Sequence, residues 1–450
     1  MLKKVLIANR GEIALRINRA CQELGVSTVA IFSEADRNSL HVRQADEAFC
    51  VGPGPVAQSY LNIPNIISTA LITGADSIHP GYGFLAENAR FAEICADHRL
   101  TFIGPKPDVI AAMGDKATAK RVMKKAGVPT TPGTDILENA EEARAAADAM
   151  GYPVLLKATA GGGGKGMREV RSRDQIENAF VTAQAEAEAN FKDGRMYMEK
   201  LIINPRHIEV QILGDSFGNV VHLGERDCSV QKPSHQKLIE ESPAPNLPEK
   251  TRRMLHETAV RAGKAVNYTN AGTLEFLVSG KHVYFMEMNT RIQVEHPVTE
   301  MVYGIDLVKE QIRVASGEAL GYEQRDLKAA GAAIECRINA EDPAHNFAPA
   351  AGTLTSVVFP GGPGIRVDTH VYGGAQIPPF YDSMLAKIVA FADTREAAIA
   401  RMERALRETV VDGVTTTIGQ CLEILATDQF RAGTYDIGFL PSLLRVPVAS

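Results

Sequence analysis

Apolar and polar residues repeat along this chain with two different periods, and the changes between them mark its elements. KKVLIAN centres on the apolar run VLIA and reads as a buried strand. IALRINRACQELG repeats its apolar residues at helical spacing and stops at Gly25, and STVAIFS is a second strand. ADSIHPGYG and LTFIGP continue as strands around the helix LAENARFAEICADH. Strands that alternate with helices in this way form a parallel sheet through right-handed crossovers. Residues 1 to about 113 are therefore expected to be a doubly wound α/β domain.

From Lys116 the helix KATAKRVMKKAG leads to the turn-rich VPTTPG, the helix EEARAAADAMG and the strand YPVLLKAT. That strand feeds TAGGGGKGM, Thr159 to Met167, which two phosphate motifs fit in part. Gly161, Gly163 and Gly166 match G-x-G-x-x-G. Gly164-Lys165 matches the end of an NTPase phosphate loop, but Gly166 replaces its Ser or Thr and Thr159 its first Gly. A dinucleotide fingerprint needs a helix to begin at its third glycine. Here MREVRS follows, short and strand-like, and Ser172-Arg173-Asp174-Gln175 offers a capping box for the next helix. The order strand, glycine loop, strand predicts a hairpin flap with its N–H groups turned to phosphates. A plain flexible loop is the bland alternative, although four glycines cost stability unless close approach is required. The first turn of the chain, NRGEIA, has only Gly11, which weighs against a nicotinamide cofactor.

Further hairpins follow. HIEVQILGD places His207, Glu209 and Gln211 on one face and Ile208, Val210 and Ile212 on the other, and leads through Phe217-Gly218-Asn219 into VVHLGERDCS. AGTLEFLV and HVYFMEMNTR form a short hairpin that makes Glu275 and Glu287 near neighbours, with Asn289 on the same face. Two such carboxylates repel unless a cation lies between them, and with an amide oxygen they suit Mg²⁺ on a nucleotide's phosphates. Charges alternating by chance on a solvent-facing strand are the competing reading. In NTRIQVEHPVTE, Arg291, Gln293 and Glu295 are expected to share one face of an extended segment that Pro297 ends. An arginine beside a carboxylate there can bind a small oxyanion and deprotonate it, and a structural ion pair is the alternative. After the helix DLVKEQIRVASG, a third region from about Gly331 carries the strands AAIECRINA, TLTSVVFP, IRVDTHVYG and MLAKIVAFAD and the helix EAAIARMERALRET.

Composition narrows the class. A chain of 450 residues, 45% hydrophobic and 23% charged, has core enough for two to four domains. A net charge of -6 argues against a nucleic-acid binder. Six scattered cysteines without a C-x-x-C pair read as reduced thiols of a cytoplasmic enzyme. There is no apolar run long enough for a bilayer, and MLKKVLIANRG reads as a strand and turn rather than a signal peptide.

These segments together resemble the ATP-grasp superfamily and, much more closely, the biotin carboxylase family within it. The resemblance runs from KKVLIANRGEIALRI through HPGYGFLAENA, FIGP, MGDK, KATAGGGGKGM, ERDCS, EMNTRIQVEHPVTE and ECRINAEDP to PPFYDSMLAK, nearly the whole chain. It implies an α/β and α+β architecture: an N-terminal doubly wound parallel sheet (1–113), a central ATP-grasp domain (114–330) with its flap around 130–203, and a C-terminal antiparallel β-rich domain (331–446). It implies that Lys116, Lys157 and the backbone of Gly163 and Gly164 hold ATP phosphates, and that Glu199, Lys200, Leu201 and Ile202 form the edge read by adenine. His207, Gln231 and His235 would line the ribose and base region, and Glu275, Glu287 and Asn289 would bind Mg²⁺ or Mn²⁺. Lys237, Arg291, Gln293 and the Val294 backbone would hold bicarbonate, with Glu295 as its general base. Arg337 would meet the ureido oxygen of biotin, with Tyr82 near the same ring. One segment departs: the family usually reads Q-R-R-H-Q-K, and this chain has QKPSHQK, Gln231 to Lys237, one residue longer and without both arginines.

The expected activity is ATP- and bicarbonate-dependent carboxylation of biotin through carboxyphosphate. No M-K-M acceptor hairpin is present, since Met123-Lys124-Lys125 sits in a helical stretch. The biotin carboxyl carrier protein and the carboxyltransferase are therefore expected on other chains, and family members of this size commonly form homodimers. A carbamoyl-phosphate-type ligase and a non-enzymatic nucleotide sensor are the rivals; the sensor has no use for Arg291 and Glu295 beside the metal hairpin.

Overall fold

The computed structural model of the chain describes residues 1–159 and 166–444. The N-terminal strands form one parallel sheet in the order Glu47–Gly52, Ser27–Ser33, Lys4–Ile7, Ser77–His79, Thr101–Phe102. The order reverses between Lys4–Ile7 and Ser77–His79, and such a switch point opens a crevice at the carboxyl ends of the two strands. Tyr82 lies there. Asn9 Nδ2 donates to the carbonyls of Pro80 and Tyr82, both at 2.7 Å. Gly81 sits at φ +63, and a Cβ on it would lie 2.9 Å from that Asn9 nitrogen, so the turn has room for glycine alone. The edge strand Glu47–Gly52 has no alternating signature because Phe49 and Cys50 on it are exposed.

The flap region is a small antiparallel sheet ordered Met167–Val170, Val154–Ala158, Met196–Lys200. Helices Ala140–Met150 and Ile176–Phe191 cover it with an alanine-rich core. Lys157 pairs with Met167 at the base of the expected hairpin; Gly163 and Gly164 lie outside the described residues. The expected capping box does not form. Ser172 makes no side-chain cap bond; a 3-10 turn, Arg173–Gln175, intervenes, and the Gln175 side chain accepts from Arg171 N at 2.9 Å.

The rest of the chain is organised by one antiparallel sheet of eight strands. Its order is His282–Asn289, Asn270–Ser279, Arg206–Gly214, Val220–Gln231, Lys237–Ser242, Ala332–Asn339, Met384–Ala392, Ile365–Thr369. Lys237–Ser242 pairs with Ala332–Asn339 in the register Ile239↔Cys336 and Glu240↔Glu335, so the central and C-terminal regions share a sheet. One face is apolar. Ile208, Val210, Ile212, Leu274 and Phe276 pack there against Leu255 and Ala259 of helix Glu249–Ala265. Ile334, Cys336, Ile338 and Ile388 do so against Ile399 and Met402 of helix Arg395–Glu408. The alternate residues, Glu209, Glu240, Glu275, Glu335 and Lys387 among them, face the other way yet are buried. That polar face is covered in part by helix His296–Tyr303, whose Val298 and Val302 sit on Ala333 and Val389. Buried charge needs partners, and its concentration on one face locates the site. No helix among the described residues is long and apolar enough to cross a membrane. All six cysteines are free thiols, and Cys50 is the exposed one.

Candidate active site

Three lysines meet at one end of the polar face. Lys116 and Lys120 stand one turn apart on helix Lys116–Lys125, and Lys157 Nζ donates to Glu199 Oε2 at 2.8 Å while Lys120 pairs with the other oxygen. Burial and the neighbouring Lys116 pull Lys157 down to about 8. Glu199 thus points at ammonium groups. On strand Met196–Lys200, Lys200 N donates to Pro132 O at 2.8 Å, and backbone pairing ends at Leu201 N, 3.3 Å from Pro153 O. The Leu201 carbonyl and the Ile202 N–H have no protein partner among the described residues and leave one backbone acceptor and one donor open at the strand end.

Glu275 and Glu287 are direct cross-strand partners, and Thr273 and Asn289 are paired beside them. Glu275 Oε1 accepts from Lys237 at 3.0 Å, Asn289 Nδ2 at 3.0 Å and Gln293 Nε2 at 2.7 Å, and its Oε2 lies 3.1 Å from His207 Nε2. Burial pushes Glu275 up, but Lys237 and His207 outweigh it and hold this carboxyl well below the usual range. Glu287 is pushed up by burial and by Glu275, and has no ion-pair or hydrogen-bond partner among the described residues. A half-buried, unpaired carboxylate facing a paired one fits a divalent ion, which supplies the missing charge through hard oxygen donors. Asn289 offers its nitrogen to Glu275 while its Oδ1 accepts from Arg291 Nη2 at 2.8 Å, so its amide oxygen is engaged by the guanidinium and not aimed at the carboxylate pair.

Residues 291–295 are a turn, not the expected extended segment, and Pro297 begins helix His296–Tyr303 instead of ending a strand. Proline suits that first turn because its missing N–H would have no helical partner. The turn separates Arg291 from Glu295. Arg291 Nε donates to Glu87 Oε2 at 2.8 Å, and Glu295 is gripped by two other cations. Lys237 Nζ is 2.5 Å from its Oε1 and Arg337 Nη2 is 3.0 Å from its Oε2. Burial pushes Glu295 up, yet Lys237, Arg337 and Arg226 hold it well below the usual carboxylate range. Lys237 also reaches Glu209 at 2.6 Å. Arg337, half-buried on its strand, donates through Nε to Glu240 Oε1 at 2.6 Å, so it is no freely solvated arginine.

Arg226 underlies all of this and escaped the sequence reading. It is fully buried and bonds Glu209 Oε1 at 2.5 Å, Gln211 at 2.8 Å, Thr299 at 2.9 Å, Thr273 at 3.2 Å and Gln293 Oε1 at 2.7 Å. Its one sequence signal is the charged run Glu225-Arg226-Asp227 in the middle of a strand. Lys120 was also missed, although its i,i+4 spacing from Lys116 was visible. In the departing segment, Gln231 Nε2 bonds His207 Nδ1 and the Cys228 carbonyl, each at 2.8 Å. Lys232 is buried against Glu341, and His235 is exposed at φ +63.

Family models described as biotin carboxylase, N-terminal domain, carbamoyl-phosphate synthase L chain, ATP binding domain, and biotin carboxylase C-terminal domain match residues 1–110, 115–323 and 335–442. A biotin carboxylase of Nostoc sp. is 56% identical over 98% of this chain and 99% of its own. The chain belongs to the biotin carboxylase family. Among solved structures, the Campylobacter jejuni biotin carboxylase in complex with a β,γ-ATP ligand superposes with a TM-score of 0.96 at 51% identity, covering 98% of this chain and 99% of that one. The biotin carboxylase domain dimer of Hydrogenobacter thermophilus 2-oxoglutarate carboxylase, solved with MgADP and bicarbonate, gives 0.95 at 51%, covering 98% of each chain. As a biotin carboxylase the chain is an ATP-dependent ligase that carboxylates biotin, with ATP, bicarbonate and Mg²⁺ as its other requirements.

Proposed function

We propose that the chain is the subunit that carboxylates biotin on a separate carrier protein, as the first half-reaction of a biotin-dependent carboxylase. The phosphates of ATP lie between Lys116, Lys120, Lys157 and the flap carrying Gly163 and Gly164. Adenine meets the strand end at Glu199, Lys200, Leu201 and Ile202, and the ribose faces His207, Gln231 and His235. Glu275, Glu287 and Asn289 would hold Mg²⁺ or Mn²⁺, which would supply positive charge against the transferred phosphoryl group. Functionally the chain divides at 1–113, 114–330 and 331–446.

Bicarbonate binds to Lys237, Arg291, Gln293 and the Val294 N–H. An arriving anion draws Lys237 and Arg291 onto itself, and Glu295, relieved of part of its positive surroundings, becomes a better base. Glu295 takes the bicarbonate proton, an oxygen of the resulting dianion attacks the γ-phosphorus, and ADP leaves. Carboxyphosphate then splits to CO₂ and phosphate. The phosphate released beside CO₂ takes the proton of the ureido N–H of biotin, and the ureido nitrogen forms the bond to CO₂, while Arg337 stabilises the charge developing on the ureido oxygen and Tyr82 flanks the ring. The observation that carries this reading is Glu295 between Lys237 and Arg337, beside the Glu275/Glu287 hairpin.

A biotin carboxyl carrier protein and a carboxyltransferase are its partners, and the dimeric Hydrogenobacter relative supports a homodimer. Six free thiols support a cytoplasmic setting. The purified protein should hydrolyse ATP only with bicarbonate, and free biotin should accelerate it. Hydrolysis indifferent to biotin would instead favour a carbamoyl-phosphate-type ligase.

A further inference from the structure

Lys387 belongs to none of the ligand assignments above, yet it touches all three regions of the chain. It lies on strand Met384–Ala392 directly opposite Arg337 and is fully buried. Its Nζ donates to the Val294 carbonyl at 2.9 Å and lies 3.0 Å from Glu12 Oε1 and 3.9 Å from Asp368 Oδ2. Glu12, on helix Gly11–Glu23, accepts at the same Oε1 from the Tyr82 hydroxyl, and its Oε2 is buried without a partner. Burial works against the ammonium, but Glu12, with Asp368 beyond it, outweighs it and keeps the charge on Lys387. A buried ion pair contributes little net stability compared with apolar packing, so a purely structural reason for this one is weak. Its geometry is directional. One donor fixes the carbonyl of the residue whose N–H faces bicarbonate, and the other fixes the carboxylate that holds the phenol on the biotin side.

We propose that Lys387 is a positioning residue, which through Val294 sets the bicarbonate turn and through Glu12 ties it to Tyr82. The inference rests on the bicarbonate and biotin sites assigned above. A turn held by this bond presents the Val294 N–H and the Glu295 carboxylate in fixed relation, and a displacement of about 1 Å at such a site can cost orders of magnitude in rate.

The test uses the whole protein and steady-state kinetics. Lys387→Met leaves Glu12 buried without its cation, so it is paired with the double variant Lys387→Met/Glu12→Gln, in which both charges are gone. The double variant should recover the melting temperature lost by the single one. In both, the KM for bicarbonate in biotin-independent ATP hydrolysis should stay raised by about tenfold, with the KM for ATP within about twofold of wild type. A bicarbonate KM within about twofold of wild type in the stable double variant overturns the proposal. If neither variant folds, Glu12→Gln alone decides, because its amide keeps an acceptor for Lys387 but loses the charge. It should raise the KM for free biotin by about threefold or more, and an unchanged value removes the link to Tyr82. Wild-type protein run in parallel keeps the two levels apart: no bicarbonate-dependent hydrolysis there would sink the site assignment itself, not the role of Lys387.

Discussion

Arg337 Nη2 donates to Glu295 Oε2 at 3.0 Å, so the guanidinium assigned to biotin and the base assigned to bicarbonate are in direct contact. Arg337 also satisfies Glu240, so its removal leaves two buried carboxylates short of a cation. Both half-steps should therefore feel Arg337→Ala, unequally. Biotin carboxylation should fall by about 10²-fold, as for loss of one oxyanion donor. Bicarbonate-dependent ATP hydrolysis without biotin should fall by less than about tenfold, because Lys237 remains on Glu295 and losing a cation makes that base stronger. Both rates measured on one folded variant decide. Equal losses would move Arg337 into phosphoryl transfer.

Glu287 is the unpaired member of the carboxylate pair, and Glu275 is already held by Lys237, His207 and Gln293. Glu287→Gln removes a charged ligand and also the repulsion that the pair suffers without metal. The variant should be at least as thermally stable as wild type without Mg²⁺, yet need several times more Mg²⁺ for half-maximal turnover. Activity titrated against Mg²⁺ gives the answer. A wild-type metal requirement would leave the hairpin a mere strand surface.

Much of this site could be read from the sequence because its parts are local. Glu275, Glu287 and Asn289 share a face through the two-residue period of a short hairpin, and the flap follows from the strand-like MREV after the glycines. The pairing of Glu240 with Glu335 joins strands nearly a hundred residues apart, and no local period encodes it. Arg226 has bonding partners from Glu209 to Thr299, so its burial follows only from the assembled sheet. The turn at 291–295 was misread because Arg291, Gln293 and Glu295 alternate as a strand would. The helix that starts at His296 bends that alternation into a loop and sends Arg291 to Glu87.

Glu335 provides a stability test at the joint of that sheet. Both its carboxylate oxygens are buried without a partner, and burial pushes its pKa well above the usual value. A carboxyl raised in the folded state contributes fully only below its unfolded value, near 4.5, and loses stability as pH rises toward the folded one. Each pH unit across that window costs about 1.4 kcal/mol. Glu335→Gln mimics the protonated form at every pH. The variant should match wild type in melting temperature near pH 5 and exceed it at pH 8, by thermal denaturation at both. Equal melting temperatures at pH 8 would mean that Arg337 and Lys387 already compensate the charge.

The departing loop gives a test specific to this chain. Lys232, where the family usually has arginine, is buried against Glu341 and lies 5.1 Å from the centre of the Phe347 ring. It also donates to Gln236 Oε1 at 3.1 Å, and Lys232 N bonds Gln236 O at 2.9 Å, which closes the loop between Gln231 and Lys237. Glu341 keeps Ser383 Oγ at 2.6 Å and Asn339 Nδ2 at 3.2 Å, but neither neutral donor replaces the ammonium. Lys232→Met should therefore destabilise the protein by about 3–5 kcal/mol, the cost of leaving one partner of a buried pair charged. Because the loop carries His235 and anchors Gln231, the ATP KM should rise severalfold while the bicarbonate KM changes little. Lys232→Arg keeps the charge and should restore most of the stability if the longer loop has room for a guanidinium. Urea unfolding and ATP kinetics on the two variants separate the effects. A Lys232→Met protein with wild-type stability would show that Glu341 takes up a proton and needs no cation.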